Sequence, residues 1–489
     1  MKQKNIFFVL IKNFNNLFMK HIFLTLILLS AFTICAQTVS GSYEIKVKVK
    51  GFEEQDLILG YHFRKALHVK DTAQFDKNGF ATFKGTEPLP GGIYLFYFPN
   101  GKYYEILIDK EQHFSVESDS IDFIKNAKIK GAKEVEQFFE MQKFLDNKGK
   151  IMGNYREEFQ NVGDNQQKKD ELSEKMNLLN EEVREYRKKL ETDNEGKFIS
   201  ALIKALNEPL IPEFEIPEDT HNRDSVLYFT QMSYIKNHFF DNIDLTDNRM
   251  LRTPFFHQKI EQYFNSALVQ IPDTVADAAI MVIEKSKSNN EMFRYLVPVI
   301  YNLVNESKVM GMEAAMVAIA EKYYLSGLAD WATEEFITDL RKRVTDLKPT
   351  LLGQTAHDLK MESPHGEFFR LHEINAKITI IVFYEPDCGH CKKEIPKLYN
   401  DVFLKYREKG VQVFAVYNLV DKEQWTKFID ENSIYDWINV YDPYQQTHFR
   451  QHFDIKSTPV IYVLDKDKKI IAKKIETEQL PDFLDFILK

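Results

Sequence analysis

Phe383-Tyr384-Glu385-Pro386-Asp387-Cys388-Gly389-His390-Cys391-Lys392-Lys393-Glu394-Ile395-Pro396 stands where one kind of pattern gives way to another. Just upstream, Ile378-Thr379-Ile380-Ile381-Val382-Phe383 is a continuous, largely β-branched run, as a strand covered on both faces requires. If a helix begins at the first cysteine, Cys388 sits at its N-terminus, beside unpaired N–H groups and the positive dipole end. Both favour thiolate over thiol, so Cys388 is expected to be the more acidic, exposed nucleophile. Cys391 follows one turn later, close enough to form a disulfide with Cys388 and to displace a substrate from a mixed disulfide. His390, when charged, stabilises the thiolate, favours the dithiol and so makes the disulfide more oxidising. Two other readings of a lone Cys-x-x-Cys stay open at this point: half a zinc site completed by His390 or His365, or a structural bridge. No second pair is present for the first, and so short a loop constrains the unfolded chain little for the second.

Working outward, Val411 to Leu419, Val460 to Leu464 and Ile470 to Ile475 read as further strands. Helical patterns fall between or after them, at Lys392 to Glu408, Lys422 to Glu431 and beyond Glu478. Such alternation predicts a central sheet covered on both sides, an α/β domain over 347–489. Lys456-Ser457-Thr458-Pro459-Val460 precedes one of these strands, a place where proline is ordinary punctuation.

These residues carry a resemblance. The region from Leu347 to Lys489 resembles the thioredoxin-fold domain of the TlpA/ResA-like thiol–disulfide oxidoreductases. Besides the cysteine pair, Pro396 falls where that family's active-site helix has its kinking proline. Lys392-Lys393-Glu394 resembles the pattern after the second cysteine, which implies that Glu394 tunes or relays the proton of Cys391. Ser457-Thr458-Pro459 resembles the family's Thr-Pro element, which implies a cis Pro459 packed on the cysteine pair and Thr458 pairing with substrate peptide. The departures are as telling. The usual tryptophan before the first cysteine is replaced by Tyr384-Glu385-Pro386-Asp387. The buried acid of thioredoxin falls at Val382, leaving Glu394 as the carboxyl candidate. Asp387 is expected to oppose thiolate formation at its neighbour. Cys-Gly-His-Cys itself resembles the pair of protein disulfide isomerases, so reduction, oxidation and isomerisation all stay open.

Two further zones precede this one. From Ser42 to about Ser118 the pattern has period two, as in Tyr43-Glu44-Ile45-Lys46-Val47-Lys48-Val49-Lys50, with turn signals at Asn78-Gly79, Gly91-Gly92 and Asn100-Gly101. This predicts a small all-β, antiparallel sandwich within 37–125. From about Ala132 to Thr345 the pattern is helical, an all-α region over 132–345. Leu172, Met176, Leu179, Val183, Tyr186 and Leu190 form a coiled-coil-like seam. It can fold back on Ile151, Tyr155, Phe159 and Val162 as a helical hairpin, the preferred reading, or meet a second copy as a homodimer. A helix is expected to open at Thr253-Pro254, and others to cover Met292 to Leu303, Glu313 to Leu325 and Trp331 to Val344. The aromatic stretch Tyr228 to Phe240 reads as core. In its order of zones, and in Val69 to Ala73 and Asn78 to Phe80, the chain resembles multi-domain Gram-negative envelope proteins with an N-terminal β-rich domain of unknown function.

The whole chain has 489 residues, which suggests about three domains at ~150 residues each. With 64 basic against 73 acidic side chains its net charge is −9, which argues against a nucleic-acid or anionic-membrane binder. Only 3 cysteines are present, too few for a disulfide-stapled scaffold or a four-thiolate zinc site. At the N-terminus, Lys20 and His21, the apolar run Ile22 to Phe32 and Ala36-Gln37 describe a signal peptide over 1–36, with Met19 as start and cleavage after Ala36. A lipidated Cys35 and an uncleaved anchor are the competing readings. Cleavage would leave Cys388 and Cys391 as the two cysteines of the mature chain.

The leading expectation is thus a periplasmic thiol–disulfide oxidoreductase acting on protein thiols and disulfides. It would need neither metal nor organic cofactor, since the dithiol is the redox group, and would exchange electrons with a membrane-bound donor or acceptor. A peroxidatic site would want proline and threonine where Ile381 and Glu385 stand. The alternative from another class is an envelope binding or assembly scaffold with an accessory thioredoxin-like domain.

Overall fold

The computed structural model describes residues 41–489. The signal-peptide reading, with Met19 and Cys35, lies outside the described residues.

The alternation in Tyr43–Val49 (β1) buries Tyr43, Ile45, Val47 and Val49 on one face. Seven more strands follow: Asp56–Phe63 (β2), Ala66–Gln74 (β3), Phe80–Gly85 (β4), Gly92–Tyr97 (β5), Tyr103–Ile108 (β6), His113–Ser118 (β7) and Lys128–Lys130 (β8). They form two sheets, β4-β1-β7-β8 and β3-β2-β5-β6, which enclose a core containing Ile45, Phe83, Phe96 and Ile106. One pair departs from the antiparallel expectation: β1 and β7 run parallel, with Ile45 opposite Phe114. A parallel pair needs a long crossover, and the excursion through β2 to β6 supplies it. The Gly91-Gly92 turn signal also has a different cause. Gly92 opens β5, and a Cβ on either glycine would run into the side chain of Arg249 or Arg252. Arg249 in turn donates to Asp109 at 2.8 Å, tying the sandwich to the helices.

The helical region starts with a hairpin of Lys133–Asn161 and Gln166–Asp193. Phe144 and Tyr186 stack across it with ring centroids 3.9 Å apart, and Lys148 pairs with Glu182 at 2.5 Å. The two helices thus meet within the chain at these pairs, and of the six seam residues only Leu172 and Leu179 are buried. Three expectations are corrected here. The Trp331 helix starts at Glu334, where the Thr333 hydroxyl caps the Phe336 amide at 3.2 Å. The Thr253-Pro254 helix starts at Phe256, whose amide donates to the Thr253 hydroxyl at 3.3 Å. The aromatic stretch is not core over its helix: Arg223–His238 has no buried residue, and beyond it Phe240 enters the helical core with Phe239 packed against it. No described helix is long and apolar enough to cross a membrane.

The C-terminal region is a mixed sheet in the order β10-β9-β13-β12-β11-β14-β15, with strands Lys360–Glu362 (β9), Phe368–Arg370 (β10), Ile378–Tyr384 (β11), Val411–Tyr417 (β12), Ile438–Tyr441 (β13), Val460–Leu464 (β14) and Ile470–Lys473 (β15). Every residue of β11 is buried. Ile378, Ile380, Val382 and Tyr384 face one apolar core, and Ile381 and Phe383 face another. That two-sided burial is what the continuous apolar run predicts.

Candidate active site

Register explains how distant segments meet. β11 and β14 pair antiparallel with Phe383 opposite Val460. Chain leaving β11 after Tyr384 therefore passes the residues just before Val460, namely Thr458 and Pro459. The Thr458–Pro459 bond is cis. The Cys388 Sγ–H donates to the Thr458 carbonyl at 3.2 Å, and the Cys391 N–H donates to Cys388 Sγ at 3.4 Å. The site thus lies at the carboxyl end of the central strand, where open α/β sheets characteristically bind and react.

The helix begins at Cys391 rather than at Cys388. The Cys388 carbonyl nonetheless accepts from the Lys392 N–H at 3.1 Å, so the first turn of backbone hydrogen bonds starts there. Pro396 has no N–H to give to the turn before it. The helix Cys391–Lys397 passes directly into a wider π turn, Leu398–Phe403.

The two thiols differ sharply. Burial works to raise the Cys388 thiol, but the Cys391 amide and thiol, the Thr458 hydroxyl and the His390 amide together hold it below the usual thiol value. Cys391 is fully buried, and burial pushes its thiol up to about 12, against the Glu385 amide and the Thr458 hydroxyl. His390 acts on Cys388 through its backbone; its side chain is exposed and lines a groove of about 470 Å³ with Glu394, Lys456, Thr458 and Pro459. Asp387 accepts from the Gln424 side-chain amide at 2.5 Å.

Glu394 lies in the same groove with partners of its own. Burial would raise its carboxyl, but the Thr477 hydroxyl and Lys397 hold it below the ordinary carboxylate value. Lys397 bridges Glu394 and Glu478 at 3.2 and 3.1 Å. Thr477 carried no signal in the sequence beyond a polar residue after a strand.

A second feature the sequence reading missed is the wall behind Cys391. Tyr384, Tyr417, Trp425 and Cys391 share one apolar core. The buried Trp425 indole N–H donates to the Tyr384 hydroxyl at 2.8 Å, and the Tyr417 and Trp425 rings stack at 5.5 Å. Tyr384 is the last residue of β11, two before Pro386, and lies near enough to Cys391 for the two groups to influence each other's titration; its position at the end of an apolar strand was the available signal.

With this geometry in place, the comparisons with known proteins fall into order. Residues 352–473 match the AhpC/TSA family, residues 43–138 the domain of unknown function DUF4369, and residues 164–344 the domain of unknown function DUF5106. Thiol-disulfide oxidoreductase ResA of Bacillus cereus is 25% identical over 148 residues, which cover 28% of this chain and 80% of that protein. A crystallised domain of a possible thiol-disulfide isomerase from Cytophaga hutchinsonii is 46% identical, covering 29% of this chain and 95% of that one, with a TM-score of 0.28. A thioredoxin-like protein from Bacteroides caccae is 19% identical over 57% of this chain and 98% of that one, with a TM-score of 0.44. The protein is therefore multi-domain, with a C-terminal domain of the thioredoxin-like class. Within that class, the domain is a thiol–disulfide oxidoreductase similar to ResA.

Proposed function

We propose that the protein exchanges disulfides with protein substrates through Cys388 and Cys391, in the periplasm. The observation that carries the reading is the division of labour between the thiols: a half-exposed, acidified Cys388 and a buried Cys391 with its thiol raised to about 12. The Cys388 thiolate attacks a substrate disulfide; that S–S bond breaks, one substrate sulfur leaves and takes up a proton, and a mixed disulfide remains. Cys391 then gives up its proton and attacks Cys388 Sγ, which releases the second substrate sulfur as a thiol. The substrate disulfide has been reduced and the Cys388–Cys391 pair oxidised. Run in reverse, the same steps oxidise a substrate dithiol.

In this reading Thr458 and Pro459 position the substrate chain, since the Thr458 carbonyl already meets the attacking sulfur at 3.2 Å. His390 and Glu394 border the path, and Glu394 takes the proton of Cys391. The N-terminal basic pair and apolar run support export. The test is a trap: Cys391→Ala removes the resolving thiol, so the full chain should accumulate mixed disulfides with protein partners through Cys388. Cys388→Ser should accumulate none, and a Cys391→Ala chain that captures no partner overturns the reading.

A further inference from the structure

The helix Arg223–His238 is 16 residues long, yet none of them is buried. Tyr228 and Phe229 are 50% and 54% exposed, and Val226 is also open to solvent. Before this helix runs Asn207 to Asn222, where Pro209, Pro212 and Pro217 hold the chain extended and Leu210 stands 89% exposed. Between segment and helix lies a groove of about 800 Å³, lined among others by Phe214, Val226, Phe229 and Tyr234. A contiguous exposed apolar surface of this kind marks a site of interaction.

Charge selects among occupants. Between Lys204 and Arg223 there are five carboxylates, Glu208, Glu213, Glu215, Glu218 and Asp219, and no lysine or arginine. Lys and Arg ion pairs elsewhere in the described residues do not involve any of the five. A symmetric pairing of two copies sets a patch near its own equivalent, and here that brings unneutralised carboxylates together in a chain of net charge −9. An apolar segment with positive charge meets both properties of the surface.

We propose that this groove and the exposed face of the Arg223–His238 helix hold unfolded, cationic stretches of the protein substrates whose disulfides the Cys388–Cys391 pair exchanges. Unfolded chains present apolar side chains that folded ones bury, which matches the aromatic side chains of the groove; lysine and arginine beside them match the exposed carboxylates of the segment before the helix, Glu213 and Glu215 flanking Phe214 among them. This rests on the disulfide-exchange reading for the identity of the substrates. The holding step itself is reversible and forms no covalent bond.

The test uses the full chain and probes whose thiols are blocked, so that Cys388 takes no part. Reduced, carboxamidomethylated lysozyme is the unfolded cationic probe, and α-lactalbumin treated in the same way is the acidic one; binding is read by fluorescence anisotropy. Lysozyme should bind at least about tenfold more tightly, and more weakly as salt rises. Tyr228→Ser with Phe229→Ser should weaken lysozyme binding about tenfold, a loss in line with two exposed aromatic anchors. Glu213→Gln with Glu215→Gln and Glu218→Gln should abolish the preference for lysozyme. Unchanged circular dichroism and unchanged exchange with a small disulfide peptide show that the variants fold. Undiminished binding by the aromatic variant overturns the proposal, as does sedimentation showing a dimer that this variant dissolves. Loss of peptide exchange in the wild type would sink the exchange reading while leaving the binding result intact.

Discussion

The sulfur of Cys388 lies 3.2 Å from the carbonyl oxygen of Thr458, 70 residues further along the chain. The Thr458 side chain acts on the same pair, since its hydroxyl lowers the thiol value of both Cys388 and Cys391. One residue thus offers a carbonyl to the Cys388 sulfur and a hydroxyl that favours both thiolates. Thr458→Val keeps the shape and the carbonyl but removes the hydroxyl. Cys388 should become less acidic, and its alkylation by iodoacetamide at pH 7 should slow roughly threefold to tenfold, in keeping with one lost hydrogen bond worth about 1 kcal/mol. An unchanged rate would show that the hydroxyl contributes nothing.

The raised thiol of Cys391 has a consequence for stability. Its folded value of about 12 exceeds the ordinary 9.0, so the folded state holds this proton more tightly than the unfolded one does. The contribution is fully present below about pH 9 and is lost as pH climbs toward 12. The reduced C-terminal domain should therefore lose stability across that window, and Cys391→Ala should flatten the loss. Chemical denaturation at stepped pH reads the slope. Mass mapping should find Cys388 alone alkylated near neutrality, because Cys391 is both protonated and fully buried.

Glu394 is tested by separating attack from resolution. Its carboxylate is held low by Thr477 and Lys397 against the effect of burial, so it is ionised at neutral pH and free to accept a proton. Glu394→Gln should leave the alkylation rate of Cys388 unchanged and slow release of a preformed mixed disulfide by about tenfold, below the roughly hundredfold or more usual for general-base assistance because the groove is open to water. Equal release rates would remove Glu394 from the proton path.

The parts of this site legible in the sequence are those whose signal is local. The apolar run Ile378 to Phe383 predicts a strand buried on both faces, and the spacing of Cys388 and Cys391 predicts an exposed, more acidic Cys388 with Cys391 one turn behind it. What the sequence reading missed depends on which groups happen to lie across from one another. Asp387, adjacent to Cys388 in sequence, accepts from Gln424, and His390 contributes its amide rather than its ring. Trp425 reaches Tyr384 from a helix 41 residues away. Tyr228 and Phe229 show the opposite failure: aromatic content reads as core, but burial needs a neighbouring layer, and the proline-held segment before the helix supplies none.

A last relationship joins the helical region to the catalytic domain. Lys473, in β15, has a side chain only 1% exposed and pairs with Glu313 at 3.3 Å. Burial lowers the lysine's proton affinity, and Glu313 opposes that. Glu313→Gln would leave an ammonium buried without its counter-charge, and should cost about 1–3 kcal/mol, less than a fully enclosed pair because Glu313 is 31% exposed. Lys473→Met replaces the ammonium with an apolar side chain of similar length and should cost less. Combining Lys473→Met with Glu313→Gln should recover most of what Glu313→Gln loses alone, which a double-mutant cycle on the C-terminal unfolding transition measures. The neighbour of Lys473 is Lys474, which pairs with Asp454 at 2.8 Å on the edge of the active-site groove. Glu313→Gln should therefore also change the mixed-disulfide release rate, whereas a purely structural tie would lower stability and leave that rate where it was.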